Sequence, residues 1–154
     1  MTQEKDNTPV TTQEKDNTPV NSDLLLMSLV ELAEEFSEKL SVTLFVQGSI
    51  VTGLLIGEKP YFEALNDELN ATTSGSAEGK EAFKAFLAPF HTVSKKSSDN
   101  QEEQSQLKDI EFIHLKNAKF CNGSSLTPQN KGVYWRGLLS RIDGFFLGNL
   151  SSGS

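Results

Sequence analysis

Residues 42–56 read VTLFVQGSIVTGLLI, and this stretch decides the fold because it carries the pattern of two β-strands around a turn. Apolar residues recur at every second position from Val42 to Val46, which is the side-chain period of a strand. Gly48 supplies a turn, and the β-branched run after it predicts a returning strand. Both strands are apolar on two faces, which predicts a central hairpin or part of a small barrel, with a bulge or bend at Gly53.

An amphipathic helix is predicted immediately before this hairpin. Three residues that favour helix N-caps, residues 21–23, precede an apolar pattern of helical period that continues for about eighteen residues. Glutamates lie opposite the apolar stripe, so we expect the stripe to face the core. It comprises Leu25, Leu29, Leu32, Phe36 and Leu40.

A helical insertion follows the hairpin over residues 58–90. Pro60 suits the first turn of a helix, and a second apolar stripe predicts another helix that ends near Pro89. That stripe consists of Phe83, Phe86, Leu87 and Phe90. Residues 91–106 are rich in Ser, Gln and charged residues, which predicts an internal disordered loop.

The C-terminal part returns to β structure. Glu111 to Phe120 predicts a long strand, and a second strand follows from Val133 to Ile142. Asp143-Gly144 is a strong two-residue hairpin signal, after which Phe145 to Leu150 predicts a returning strand. Arg136-Gly137 is a rival site for that turn.

These elements define an α+β fold with an N-terminal helix, a small antiparallel sheet and a helical insertion between the second and third strands. The order is compatible with a five-stranded SH3-like or Sm-like barrel. Residues 22–150 are predicted to form a single domain. Residues 1–21 are predicted to be a disordered tail, because TQEKDNTPV occurs at 2–10 and again at 12–20, with one valine per copy. Residues 151–154 are predicted to be a second disordered tail.

Composition excludes several classes of function. The 154 residues carry a net charge of −7, which disfavours binding to a phosphate backbone. The single cysteine forms no intrachain disulfide, and no apolar run approaches the ~20 residues of a membrane span. The N-terminus lacks the apolar core of a signal peptide, so we expect a soluble, cytoplasmic protein.

Catalytic chemistry is also poorly supported. His114 and Cys121 are seven residues apart on one predicted strand, so we expect them on opposite faces, too distant for a dyad. No ligand spacing predicts a metal site, and no glycine-rich motif predicts a phosphate loop. We therefore expect no catalytic residues, metal or cofactor.

Adjacent aromatic residues are the most distinctive feature of the C-terminal strands. Tyr134-Trp135 and Phe145-Phe146 are paired in sequence, and neighbours in a strand face opposite sides. One member of each pair can fill the core while the other points outward. If the outward pair adjoins Arg136, the surface has the composition of an interface hot spot. The alternative is that both faces are simply core.

Two C-terminal segments resemble the gas vesicle accessory proteins of the U type, the GvpU family. They are FIHLKNAKFCNG (Phe112–Gly123) and KGVYWRGLLSRIDGFFLGNL (Lys131–Leu150), and VQGSIVTGLLIGEKPYFEAL (Val46–Leu65) is similar to the family's first β segment. The resemblance implies a non-enzymatic cytoplasmic protein of gas vesicle biogenesis. Its expected partners are shell proteins or other accessory proteins, and self-association of the module would link vesicles into clusters.

An RNA-binding Sm-like module is the alternative, because KGVYWRG is similar to the second motif of that fold. The Asp-x-x-x-Asn element expected after the second strand is absent, and EKPYFE (Glu58–Glu63) stands there instead. This departure and the negative charge disfavour the RNA-binding alternative.

Overall fold

A computed structural model describes residues 22–36, 39–72, 75–92 and 110–152. The described chain has three helices and six strands, and its elements follow the α+β order that the sequence predicts. They are, in chain order, α1 (Leu24–Phe36), β1 (Leu40–Val46), β2 (Ser49–Ile56), α2 (Glu58–Thr72), α3 (Ala77–Thr92), β3 (Phe112–Asn122), β4 (Ser125–Thr127), β5 (Val133–Leu138) and β6 (Ile142–Leu147).

The predicted hairpin is confirmed as β1 and β2. Their register pairs Leu40 with Leu55 and Val46 with Ser49, so that only two residues form the turn. Gln47 and Gly48 both have positive φ, 49° and 85°, which is the backbone conformation of a tight type I′ turn. The β2–β3 register shifts between Thr52 and Leu54, which confirms a bulge at Gly53.

The sheet is open and does not close into a barrel. Its order is β4-β3-β2-β1-β6, and β5 pairs with β3 beside β4. The chain after β6 crosses back over the sheet: the Thr43 hydroxyl donates to the Gly148 carbonyl at 2.8 Å, and the Leu150 N–H donates to Thr52 Oγ1 at 3.0 Å. Within the described residues β6 pairs with β1 and β5 pairs with β3, and β5 and β6 do not pair with each other, so the SH3-like or Sm-like barrel does not form.

Helices lie on both faces of the sheet. α1 packs on the face formed by Leu44 of β1, Val51 of β2 and Leu115 of β3, which we call the α1 face. α2 packs on the opposite face, the α2 face, where its Tyr61 ring lies 4.6 Å from the ring of His114. α3 contacts α2 and extends through Pro89 to Thr92, so the predicted helix end at Pro89 is three residues too early.

The buried stripe of α1 differs from the prediction. Asp23 caps the helix through Oδ1, which accepts the Leu25 N–H at 2.9 Å, and the helix has 13 residues rather than about eighteen. Glu34 accepts the Glu58 N–H and so connects α1 to the start of α2. The core then receives Leu26, Met27, Val30 and Ala33, while Leu25, Leu32 and Phe36 remain exposed.

A bulge in β3 changes which residues share a face. Asn117 has φ of 53°, and its side-chain oxygen accepts the Gly132 N–H at 2.8 Å. His114 pairs with Ile56 and Cys121 with Ile50, six residues apart on β2. The two side chains therefore lie on the same face, and the prediction of opposite faces is wrong because β3 carries one extra residue.

The predicted turn at Asp143-Gly144 is also wrong, and so is its rival at Arg136-Gly137. Leu139–Arg141 forms a 3₁₀ turn that buries Leu139, whose N–H donates to the Glu111 carbonyl at 2.9 Å. Asp143 and Gly144 lie within β6, which pairs with β1 rather than with β5. The Asp143 carboxylate accepts the Gln47 N–H at 2.8 Å and so supports the β1–β2 turn.

Three predictions fall wholly or partly outside the described residues. They concern disorder at 1–21, at 91–106 and at 151–154. Residues 91 and 92 belong to α3, and residues 151 and 152 have no regular secondary structure.

Candidate interaction surface

β5 distributes its three candidate residues over both faces of the sheet. Trp135 lies opposite Leu115 and packs against the core beneath α1. Tyr134 and Arg136 therefore point to the α2 face. Tyr134 lines a groove of about 320 Å³ whose apolar part includes Pro60 and Ala64 of α2. The alternation that the sequence predicts for this aromatic pair is thus present.

Arg136 is held in place by aromatic rings. Its guanidinium carbon lies 3.6 Å from the centre of the Phe112 ring and 5.8 Å from that of Phe62 on α2. Its Nε donates a hydrogen bond to Nε2 of His114 at 3.2 Å. A planar guanidinium stacks well on such rings, so this cation is oriented even though the residue is exposed.

His114 is buried beneath this cation, with 2% of its surface exposed. Because Nε2 accepts a hydrogen bond, the neutral ring carries its proton on Nδ1. Nδ1 has no hydrogen-bond partner within the described residues. Burial, aided by the charge of Arg136, lowers the pKa of His114 to about 4. The ring is therefore neutral at pH 7, and its role is to support Arg136.

β6 places the second aromatic pair at the other edge of the sheet. Phe145 lies opposite Leu44 and packs against the core on the α1 face. Phe146 points to the α2 face and is 40% exposed, with its ring centre 6.0 Å from that of Phe45, which is 39% exposed. Leu147, the next residue, is also exposed, but it lies opposite Val42 and points to the α1 face.

The five candidate residues therefore do not form one patch. Strands β3, β2 and β1 lie between β5 and β6, so the two groups are about 19 Å apart at the usual strand spacing. The structure brings Tyr134 and Arg136 together near α2, and it pairs Phe146 with Phe45 at the free edge of the sheet. Trp135 and Phe145 belong to the core side.

Sequence reasoning missed two exposed apolar helix faces. One is on α1, whose apolar side chains cover more than the face that is buried. The exposed ones are Leu24, Leu25, Leu32 and Phe36. Its signal was the run Leu24–Met27, since four consecutive apolar residues cannot all face the core. The other is on α3, where Phe83, Phe86 and Phe90 are exposed and only Leu87 of the predicted stripe is buried.

Metal-ligand clusters and membrane-spanning helices were both searched for in the part of the chain that the structure describes. No group of three or more His, Cys, Asp or Glu side chains could hold a metal ion within those residues. Among the same residues, no helix is both long enough and apolar enough to cross a bilayer. The arrangement is suited to contacts with other macromolecules through apolar and aromatic side chains.

A comparison with protein families gives a match over most of the chain. The family described as gas vesicle protein GvpU-like matches residues 23–150, which include every described helix and strand. No match was found among curated proteins or among solved structures.

Proposed function

Because this chain belongs to the GvpU-like family of gas vesicle proteins, we propose that it is a non-enzymatic accessory protein that aids the assembly or clustering of gas vesicles. It acts through protein–protein contacts with shell proteins or other accessory proteins, and through contacts with further copies of itself. The expected location is the cytoplasm, at the vesicle surface.

The observation that carries this proposal is the aromatic pair at the free edge of the sheet. Phe45 and Phe146 pack against each other while each keeps about two fifths of its surface exposed. Aromatic side chains grouped in this way supply large contact area at low entropic cost, which is typical of interface anchors.

The second contact region is the β5 group of Tyr134 and Arg136. The guanidinium is stacked on Phe112 and tied to His114, so it loses little freedom when a partner binds. Tyr134 borders the adjoining groove and presents a polar tip on an apolar body. Together they offer the Tyr and Arg composition that is enriched in interface centres.

An Sm-like RNA-binding role has less support. The sheet is open, and the net charge of −7 opposes a nucleic acid backbone. Arg136, the one cation that the sequence placed in the candidate surface, is stacked between protein rings of β3 and α2.

The test is a vesicle-binding experiment with matched variants. Tagged Phe146→Ala, Tyr134→Ala and Arg136→Ala proteins are incubated with purified gas vesicles, and the bound fraction and vesicle clustering are measured. We expect each variant to bind about 5- to 150-fold more weakly, corresponding to about 1–3 kcal/mol per anchor.

Phe83→Ala is the matched control, because Phe83 is an exposed phenylalanine on α3, outside both groups. It should bind vesicles as the wild-type protein does. If all three test variants bind and cluster vesicles at wild-type levels, these two groups are not the contact surface. If the wild-type protein does not bind vesicles at all, the proposed function itself fails.

A further inference from the structure

β6 forms a free edge of the sheet. It pairs with β1 on one side, and no strand among the described residues pairs with its other side. The Gly148 N–H donates to the Ser41 carbonyl of β1 at 2.7 Å, so the backbone groups of Gly148 and of Phe146, two residues earlier, point to β1. Those of Phe145 and Leu147 therefore point to the free edge. There they present backbone donors and acceptors with which another strand can pair.

This edge lacks the side chains that most often keep a sheet edge from pairing, which are lysine, other charged residues and proline. Ile142–Leu147 contains no Lys, Arg or Pro. Its one charged residue is Asp143, whose carboxylate accepts the Gln47 N–H of the β1–β2 turn. β5, at the other edge of the sheet, carries Arg136 near its centre. Of these two strands, β6 is the one that is open to pairing.

Exposed apolar side chains flank the β6 edge on both faces of the sheet. Phe45 and Phe146 are on the α2 face, and Leu147, which is 57% exposed, is on the α1 face. At roughly 150–250 Å² for each large side chain, the three together expose about 200–350 Å². Two copies of this surface amount to less than the ~1,200 Å² of stable complexes, so a contact between them is weak and reversible.

The order of these side chains fits a second copy of β6 that runs antiparallel to the first. If Phe146 lies opposite its own copy, the outward-pointing backbone groups of Phe145 meet those of Leu147 in the second copy. Phe146 then packs on Phe146 on the α2 face, and Leu147 packs on Phe145 on the α1 face. An axis at Phe145 would instead set Phe146 opposite Gly144 and Leu147 opposite Asp143. The register centred on Phe146 therefore matches apolar with apolar side chains.

The charges near the edge are compatible with a second copy of β6. Each Asp143 is three residues from the axis, so the two carboxylates are six residues apart, about 20 Å along the ladder. The N-terminal repeat fits the edge less well. Each copy of TQEKDNTPV brings two acids, one lysine and a proline, which cannot donate to a ladder.

We propose that β6 pairs with β6 of a second copy across a two-fold axis at Phe146, so that the two sheets become one continuous antiparallel sheet. On the α2 face, the rings of Phe45 and Phe146 from both copies then form a row of four. The inference deepens the proposed function and rests on it for the role in vesicle clustering. It names the partner of the Phe45–Phe146 group and the way in which the contact is made.

Sedimentation equilibrium of the full-length protein, without vesicles, tests the pairing. We expect a monomer–dimer equilibrium with a Kd of roughly 10 µM to 1 mM, because the interface is small. Phe146→Lys and Phe146→Glu should each weaken dimerisation at least about tenfold, since the axis sets two like charges opposite each other. An equimolar mixture should dimerise at least about tenfold more tightly than either variant alone, since Lys then faces Glu. Thermal melts check that both variants are folded.

Disulfide cross-linking tests the register without charged variants. In a Cys121→Ser background, Phe146→Cys should give a covalent dimer under mild oxidation, because residues that face each other at this ladder position have Cα atoms about 4.5 Å apart. Phe45→Cys in the same background is the matched control. Phe45 is as exposed as Phe146 but lies three strand spacings from its own copy, about 14 Å, so it should not cross-link.

Several results would overturn the proposal. They are a protein that stays monomeric at every concentration, equal cross-linking at positions 45 and 146, or assemblies that grow beyond a dimer. A dimer that both charged variants leave at wild-type affinity would assign the contact to another surface, such as the exposed phenylalanines of α3. If a charged variant fails to fold, the cross-linking result decides.

The proposed function is tested separately, because the dimer is measured without vesicles. A monomeric protein that still binds vesicles would contradict the β6 pairing alone. A dimer that binds no vesicles would contradict the proposed function alone.

Discussion

Arg136 and His114 face each other across the β3–β5 ladder, and Nε of the arginine donates a hydrogen bond to Nε2 of the histidine at 3.2 Å. The histidine is buried between the sheet and α2, whereas the arginine is exposed, so the pair links a buried group to the protein surface. Nε2 can accept this bond only while the imidazole is neutral. Protonation of His114 would therefore replace an attraction with a repulsion between two cations.

Folding stability should depend on pH through His114. The pKa of the ring is about 4 in the folded protein and 6.5 as the reference value, so between these values the unfolded chain binds the proton more strongly. Stability is then retained above pH 6.5, falls as the pH drops towards 4, and levels off below that. The expected loss is roughly 3 kcal/mol, since each pKa unit corresponds to about 1.4 kcal/mol.

Urea denaturation of wild-type protein and His114→Phe at pH 7, 5.5 and 4 measures this dependence. The variant should be less sensitive to pH over this range because its ring does not titrate. His91 is present in both proteins, so its contribution cancels in the comparison. If the free energy of unfolding changes with pH by the same amount in both proteins, the low pKa of His114 is contradicted.

The aromatic residues of β5 and β6 should separate into two stability classes. Trp135→Ala should lower the free energy of unfolding by about 3–5 kcal/mol, because its ring packs against the core on the α1 face. Phe146→Ala should cost less than about 1 kcal/mol, because the side chain is substantially exposed. Chemical denaturation at pH 7 compares them, and equal losses would contradict the assignment of faces.

Neighbouring leucines of α1 should differ in the same way. Leu26→Ala should destabilise the protein by about 2–5 kcal/mol, since Leu26 is fully buried in the core. Leu25→Ala should change stability by about 0.5 kcal/mol or less, since that side chain faces solvent. Thermal melts of the two variants test the observed rotation of the helix. If Leu25, Leu29 and Leu32 were in the core instead, Leu25→Ala would destabilise the protein more than Leu26→Ala.

Two glycines give a matched test of the C-terminal backbone. A Cβ on Gly132 would collide with the backbone of Asn117 and would lie 2.7 Å from the Ala118 carbonyl oxygen, so Gly132→Ala should destabilise by about 1–3 kcal/mol. A Cβ on Gly144 would meet nothing within 4 Å, and φ there is not in the left-handed region. Gly144→Ala should therefore raise stability by about 0.5 kcal/mol.

Denaturant midpoints of the two glycine variants provide the measurement. A strongly destabilised Gly144→Ala would indicate that Asp143-Gly144 forms a turn of positive φ after all. If Gly132→Ala leaves the denaturant midpoint unchanged, the backbone around the β3 bulge can move to accommodate the added methyl group.

Much of the fold follows from local sequence. The two-residue period of residues 42–56 and the glycine at position 48 specify the β1–β2 hairpin, because side-chain alternation and a positive φ are local properties. Helical periodicity likewise specifies the insertion between β2 and β3. The segments that resemble the GvpU family lie within the residues that the family comparison matches.

The sequence could not specify which partner each element meets. Asp143-Gly144 is locally a good hairpin turn, but pairing of β6 with β1 and burial of Leu139 place the change of strand at Leu139–Arg141. The candidate aromatic pairs are close in sequence but separated by three strands, because β5 and β6 join opposite edges of the sheet.

The rotation of α1 was likewise decided only by the tertiary structure. The helix is apolar around much of its circumference, so several rotations satisfy its hydrophobic pattern equally well. In the observed rotation Leu26, Met27, Val30 and Ala33 are buried, and Glu34 accepts the Glu58 N–H. That choice buries Leu26 and exposes Leu25, because a helix can turn only one face to the sheet that it covers.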